Sequence, residues 1–275
     1  MNKSIPELQN IARELRVTIV KTIHKAKSGH PGGSLSCIDM LTALYFYKLN
    51  YDSKNPRWED RDRVVLSSGH TCPALYSILA RLGVFPSEEL NHLRQLGSPL
   101  QGHPKYNLDY GIEMSTGSLG QGMSVANGMA LAARAQNKKY RVYSLETDGG
   151  SQEGMMWEAT MLAAHYKLSN RCILFDLNNV QIDGFVSDVM GVEPVADKFR
   201  AFNWHVIEVD GHNMQQICSA LDEAATVTDK PQAIIGKTII GKGVSLFENK
   251  AKYHGTPPTD EELAVALKEL NIAQS

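Results

Sequence analysis

The apolar positions of the chain follow two rhythms. Near the start, Leu8, Ile11, Ala12, Leu15 and Ile19 recur at intervals of three and four residues, which lines them up on one stripe of a helix. Ser4-Ile5-Pro6-Glu7 precedes them with the pattern of a capping box and a proline in the first turn, and the helix is expected to end at Lys27-Ser28-Gly29. His30-Pro31-Gly32-Gly33 follows, and Ser34 opens a second helix through Leu41 and Leu44 to Tyr47. The second rhythm is a series of short apolar runs: Val64 to Leu66, Val142 to Leu145, Cys172 to Leu177, Val206 to Val209 and Ala233 to Ile240. Each has the length and composition of a short strand. Helical patterns separate them. One starts just after His70 with Leu75, Ile78, Leu79 and Leu82, and one follows Pro86-Ser87-Glu88-Glu89 with Leu90, Leu93 and Leu96 as its core stripe. Others run from Met123 to Gln136, Ser151 to Lys167 and Gln215 to Ala225, and the last is capped by Thr259 to Glu262. Such alternation predicts an α/β fold with a mostly parallel central sheet flanked by helices.

Tyr140 to Gly184 is the most informative stretch. It reads as strand, Asp148-Gly149-Gly150 turn, helix, strand and a second polar loop closed by Asp183-Gly184, one βαβ unit with both loops at the same end of a parallel sheet. Asp148 and Asn178, thirty positions apart, are then expected side by side, at the edge where open α/β sheets bind ligands. Asp148 offers a charged oxygen, the Asn178 amide a neutral one, and a turn carbonyl near Val180 a third. A hard cation such as Mg2+ takes about six oxygens, usually one or two carboxylates with phosphate and water making up the rest. Gly149 lets the backbone approach a phosphate, and the following helix directs its positive end there. Taken alone, each dipeptide is equally a connecting turn; the strand–helix–strand spacing is what joins them.

Composition narrows the classes. With 43% hydrophobic and 21% charged residues, the 275-residue chain has the makeup of a globular protein, and no linker or charge block divides it, so one domain over 1–275 is expected. A net charge of −2 gives no electrostatic footprint for nucleic acid or an anionic membrane. Cys37, Cys72, Cys172 and Cys218 lie far apart, with neither zinc-ligand spacing nor a disulfide framework, which suits a reducing compartment. The N-terminus is amphipathic, and no apolar run approaches 18 residues. Neither a signal peptide nor a membrane span is expected, and the cytoplasm is the default.

Further candidates are histidines at element ends. His30 and His103 each sit in a Gly-His-Pro tripeptide and His70 in Ser67-Ser68-Gly69-His70, while His254 lies in Lys252-Tyr253-His254-Gly255. Any one is also readable as a structural turn residue. Thr116 to Gly122 (TGSLGQG) is a glycine loop opening a small-residue helix, suited to cradling phosphate or to close packing. The helix from Ser151 to Lys167 is apolar on nearly every side, as in a core or an interface, so Glu153 and Glu158 are placed either at its wet end or across a subunit contact.

These motifs together resemble the thiamine-diphosphate (ThDP) enzymes, and most closely the N-terminal, diphosphate-binding domain of transketolase. SGHPGG at 28–33, SSGH at 67–70, GHP at 102–104, TGSLGQG at 116–122, the Asp148 to Gly184 unit and KYHG at 252–255 occur in that family's order over nearly the whole chain. The resemblance implies a three-layer ThDP-binding fold and two-carbon ketol transfer between ketose and aldose phosphates, as in the pentose phosphate pathway. It further implies ThDP with Mg2+, or Ca2+ or Mn2+ in its place, the metal being held by Asp148, Asn178 and the carbonyl of Val180. His30, His103 and His254 match catalytic histidines. His70, His254, Gly117, Leu119, Gly149 and Asn178 match cofactor contacts, and Glu153 and Glu158 match acidic residues near the dimer interface. Two departures stand out: Glu146-Thr147 occupies the place of an apolar residue and a glycine, and Ser118 that of a proline.

In the family the chain normally continues with a pyrimidine-binding and a C-terminal domain. Their absence here implies a split transketolase, with those domains on a second subunit, sugar phosphates as substrates and self-association within an α2β2 assembly. Two alternatives stay open: part of a 1-deoxyxylulose-5-phosphate synthase-like enzyme, and a non-catalytic regulatory subunit of the same fold, for which Glu146-Thr147 is the main support.

Overall fold

The computed structural model describes residues 3–272. The first helix, α1 (Ile5–Ala26), buries the expected stripe of Leu8, Ile11, Ala12, Leu15 and Ile19, and the Glu7 carboxylate accepts the Ser4 N–H at 2.8 Å, closing its first turn. The second, α2 (Pro31–Ala43), starts three residues earlier than Ser34 because Pro31 at its first position needs no N–H partner. It passes into a π-turn at Leu44–Lys48. Then come β1 (Arg63–Leu66), α3 (Cys72–Arg81), α4 (Gln121–Ala135), β2 (Val142–Thr147), α5 (Gly154–His165) and β3 (Arg171–Leu177). A two-stranded hairpin, β4 (Val180–Gln181) with β5 (Gly184–Phe185), leads to the short helices α6 (Val186–Val189) and α7 (Val195–Ala201). The chain closes with β6 (His205–Asp210), α8 (Met214–Thr226), β7 (Gln232–Lys237) and α9 (Asp260–Ile272).

Five strands form one parallel sheet in the order β1-β2-β3-β7-β6. Alternation within each strand feeds two hydrophobic layers. Val64, Leu66, Leu145, Cys172 and Leu174 face α1, α2, α3 and α8, while Val65, Val142, Ile173 and Phe175 face α4, α5 and α7. The inner strands are covered on both faces and the edge strand β6 is half-buried, and the expected three-layer α/β architecture is the one observed. Among the described residues no helix is long and apolar enough to cross a membrane.

Two expectations are corrected. The segment after Pro86 is a short 3-10 turn over Ser87–His92; it buries Leu90 and Leu93 and leaves Leu96 fully exposed. Arg94 enters the left-handed region at φ 62° and its N–H bonds back to the Leu100 carbonyl, so the chain leaves the helical path before Leu96 can join the stripe. The expected helix from Ser151 begins only at Gly154, after a 3-10 turn at Gly150–Gln152. It is not buried all round: Met156, Ala159, Thr160 and Ala163 pack inward, while Met155, Met161 and Leu162 are exposed.

Candidate active site

The sheet register positions the site. Thr147 pairs with Asp176 and Leu177 with Lys237, so Asp148, Asn178 and Thr238 leave adjacent strands at one edge. Asp148 is fully buried. Its carboxylate accepts the Gly149 N–H at 2.9 Å and that of Asn179, and it has no ion-pair partner among the described residues. Burial, and then the negative charge of Asp176, push its pKa up to about 7. Asn178 is turned by two contacts: its Nδ2 donates to Asp176 at 2.9 Å and its Oδ1 accepts the Val180 N–H at 2.9 Å.

A cavity of about 200 Å3 opens at this edge, and Gly149, Asn178, Val180, Glu153, Leu119, His70 and His254 are among the residues lining it. A Cβ on Gly149 would touch only the Gln181 side chain, at 3.6 Å, so the glycine keeps the backbone open to the space. Asp148 borders a second cavity, of about 630 Å3, on the far side of the Asn178 loop with Lys237 and Thr238.

The four histidines gather from four separate segments. Ring centroids of His30 lie 5.2 Å from His70, 5.6 Å from His254 and 6.3 Å from His103, and His70 stacks on His254 at 5.1 Å. His30 stands at the N-cap of α2, and glycines flank the rings: a Cβ on Gly33 would lie in ordinary contact with the His70 ring at 3.6 Å, and one on Gly255 with His30 at 3.5 Å. A Cβ on Gly117 would likewise lie 3.4 Å from the His103 ring. Burial drives every ring below its ordinary value of 6.5. His30 falls to about 4, assisted by His254, Arg94 and His103, and His70 falls well below 6.5. His103 is lowered by burial and Arg94; His254 is lowered by burial against an opposing pull from Asp183. Near pH 7 the four imidazoles are therefore neutral, each with one donor and one acceptor nitrogen. His254 Nδ1 is buried without a partner among the described residues, a nitrogen left to a ligand.

Of the acidic candidates, Glu153 reaches the cavity and Glu158 lies exposed further along α5. Glu146 is fully buried beneath the cavity floor. It accepts the hydroxyls of Ser67 at 2.6 Å and Ser68 at 2.8 Å and the Thr147 N–H at 3.0 Å, and a Cβ at Gly150 would collide with its Oε1. The departure at Glu146-Thr147 is thus absorbed by serines from the loop after β1 and by a glycine in the facing turn.

Sequence reasoning missed Arg94 and Asp176. Arg94 donates to the Ser28 hydroxyl at 2.9 Å, to the Gly102 carbonyl at 3.2 Å and towards His30 at 3.4 Å, tying together both Gly-His-Pro turns. Nothing in its local sequence marks it, because its partners come from distant segments. Asp176 lies inside an apolar strand run, where a lone carboxylate was the available signal.

The residues fit a diphosphate with a hard cation: a buried carboxylate lacking a cationic partner, an amide oxygen and a strand-end carbonyl beside an open glycine turn. No group of three or more His, Cys, Asp or Glu side chains among the described residues is placed to hold a metal. A set with one carboxylate needs oxygens from a ligand to complete it.

Similarity to known proteins agrees on the lineage. Residues 8–274 match the family model for the transketolase, thiamine diphosphate binding domain. The 6-deoxy-6-sulfo-D-fructose transketolase subunit SqwG of Clostridium sp. (strain MSTE9) is 43% identical over 270 residues, 98% of each chain. An apulose-4-phosphate transketolase subunit from Phocaeicola vulgatus is 40% identical over 256 residues, 93% of this chain and 91% of that one. The transketolase crystal structure from Campylobacter jejuni superposes with a TM-score of 0.89 at 39% identity, covering 98% of this chain and 43% of that one. The chain thus spans the length of the two shorter relatives and less than half of the longer one. By family model, sequence and fold, this chain belongs to the transketolase family, as its ThDP-binding domain.

Proposed function

We propose that the chain is one subunit of a split transketolase, catalysing two-carbon ketol transfer between ketose and aldose phosphates with ThDP and Mg2+. The observation that carries this reading is one cavity lined by Gly149, Asn178 and Val180 together with His70 and His254. At this edge, Asp148, Asn178 and the Val180 carbonyl would hold Mg2+, while Gly149, Leu119, His70 and His254 in the cavity, with Gly117 nearby, would contact the cofactor. When bound, ThDP supplies the nucleophilic carbon and electron sink for cleaving a ketose between C2 and C3.

The chain's own residues then orient and move protons. His103, the most exposed of the four histidines, and His254 carry protons at the hydroxyls of donor and acceptor. His30, held neutral and pinned near Arg94, serves as a hydrogen-bonding guide for the donor rather than as a strong base.

Residues 1–275 act as the diphosphate-binding domain, and a second chain brings the pyrimidine-binding and C-terminal domains. The subunit names of relatives matching over 91–98% of their own length support this. The exposed Met155, Met161 and Leu162 on α5, with Glu153 and Glu158 alongside, suit self-association within an α2β2 assembly. The free, buried thiols of all four cysteines suit a reducing cytoplasm. Donors with an anionic end fit the substrates named for the relatives, a sulfonated ketose and a ketose phosphate.

The test is ketol transfer from xylulose 5-phosphate to ribose 5-phosphate by the tagged chain isolated with its bound partner. Activity lost on stripping divalent metal and ThDP, and regained on adding both, is the expected result. A complex that binds neither, or that releases CO2 from pyruvate instead, would overturn it.

A further inference from the structure

We propose that Asp176 is a positioning residue that sets which way the Asn178 amide faces, so that the loop after β3 offers an oxygen rather than an N–H to a cation. The inference deepens the reading in which Asn178 is a metal ligand.

Asp176 is fully buried near the end of β3. One of its oxygens accepts the hydroxyls of Ser36 on α2 at 2.7 Å and of Thr238 after β7 at 2.5 Å. The other accepts Asn178 Nδ2 at 2.9 Å, while Asn178 Oδ1 accepts the Val180 N–H at 2.9 Å. An amide has a donor end and an acceptor end, and both neighbours here agree on the assignment. Turned over, it would set oxygen against a carboxylate and NH2 against a backbone N–H, losing both bonds. In the observed orientation Val180 uses one lone pair of Oδ1 and leaves the other for a ligand.

Packing alone gives no reason for a carboxylate at this position. The neighbours Leu174 and Phe175 are fully buried, and Asp176 has no ion-pair partner among the described residues. An unpaired buried carboxylate is costly, so its place here is better explained by the Asn178 amide it holds.

The test uses the assembled complex with ThDP and Mn2+ as the probe, bound metal being counted from the electron paramagnetic resonance of free Mn2+. Asp176→Ala is expected to weaken Mn2+ binding by about 10–100-fold, the range for residues that orient a metal ligand. Adding Asn178→Asp, which presents oxygen whichever way it turns, should raise the affinity by more than the same substitution does in the wild-type background, where only its added charge acts; a residue that merely supported the fold would give equal gains in the two backgrounds. If alanine prevents folding, Asp176→Asn with and without Asn178→Asp gives the same two readings. Wild-type Mn2+ affinity in the single variant, or a folded double variant that gains no more from Asn178→Asp than the wild-type background does, would overturn the role of Asp176 while leaving the metal site standing. A wild-type complex that binds no Mn2+ with ThDP would overturn the metal site and this role together.

Discussion

Thr147 stands opposite Asp176 in the parallel pairing of β2 with β3, so Asp148 and Asn178 emerge on neighbouring strands at one edge of the sheet. Asp148 is buried there with backbone N–H partners and no cationic side chain among the described residues. Asp148→Ala should therefore abolish Mg2+-dependent ThDP binding, measured by calorimetry on the assembled complex. Unchanged ThDP affinity would refute the assignment of this carboxylate as a ligand.

The histidine cluster predicts a pH dependence of stability. His30 is lowered to about 4 by burial, then by His254, Arg94 and His103, from an ordinary value of 6.5. The folded protein thus binds fewer protons there than the unfolded chain does. The associated stability is fully present above about pH 6.5 and is lost as pH falls from there towards 4, by roughly 3 kcal/mol for this ring. The thermal midpoint of wild type should drop more steeply over that window than that of His30→Asn. Parallel curves would contradict the shift.

His103→Ala and His254→Ala should separate chemistry from cofactor binding. Each is expected to lower turnover by about 10²–10⁴-fold, the scale of a lost acid–base group, with ThDP still bound. Loss of ThDP in step with turnover would instead make these rings parts of the cofactor cradle only.

Beneath the cavity, Glu146 and Gly150 are coupled. Gly150→Ala drives a methyl group into Glu146 Oε1 and should destabilise the protein strongly. Glu146→Ala leaves the Ser67 hydroxyl without its acceptor and the Ser68 hydroxyl with only the Thr147 Oγ1 at 3.3 Å, at a cost of about 1–3 kcal/mol. Denaturant unfolding of both single variants and the double should show that Gly150→Ala costs less once Glu146 is gone, with a coupling of about 0.5–3 kcal/mol. Strict additivity would mean that the carboxylate swings clear without cost.

What was legible in the chain depended on how local the signal was. The Leu8 to Ile19 stripe, the five apolar strand runs and the Asp148 to Asn178 spacing are written in consecutive or periodic residues, and the structure follows them. The convergence of His30, His70, His103 and His254 was carried only by the family resemblance, since each alone reads as a turn residue and the four come from separate segments. Leu96 misled because one left-handed residue, Arg94, breaks a helical period without being glycine. The contacts of Arg94 with Ser28, and of Asp176 with Ser36 and Thr238, join segments 60 or more positions apart. No periodicity encodes such pairs. The β4–β5 hairpin has two-residue strands, too short for an alternating pattern to register.

The central claim is that this chain supplies the diphosphate half of a two-chain transketolase. The most direct test is ketol transfer measured on one preparation before and after separating the tagged chain from its co-purified partner, with ThDP and Mg2+ present throughout. Transfer by the complex, its loss on separation and its return on recombination are the predicted results. Full transfer by the separated chain alone would contradict the claim.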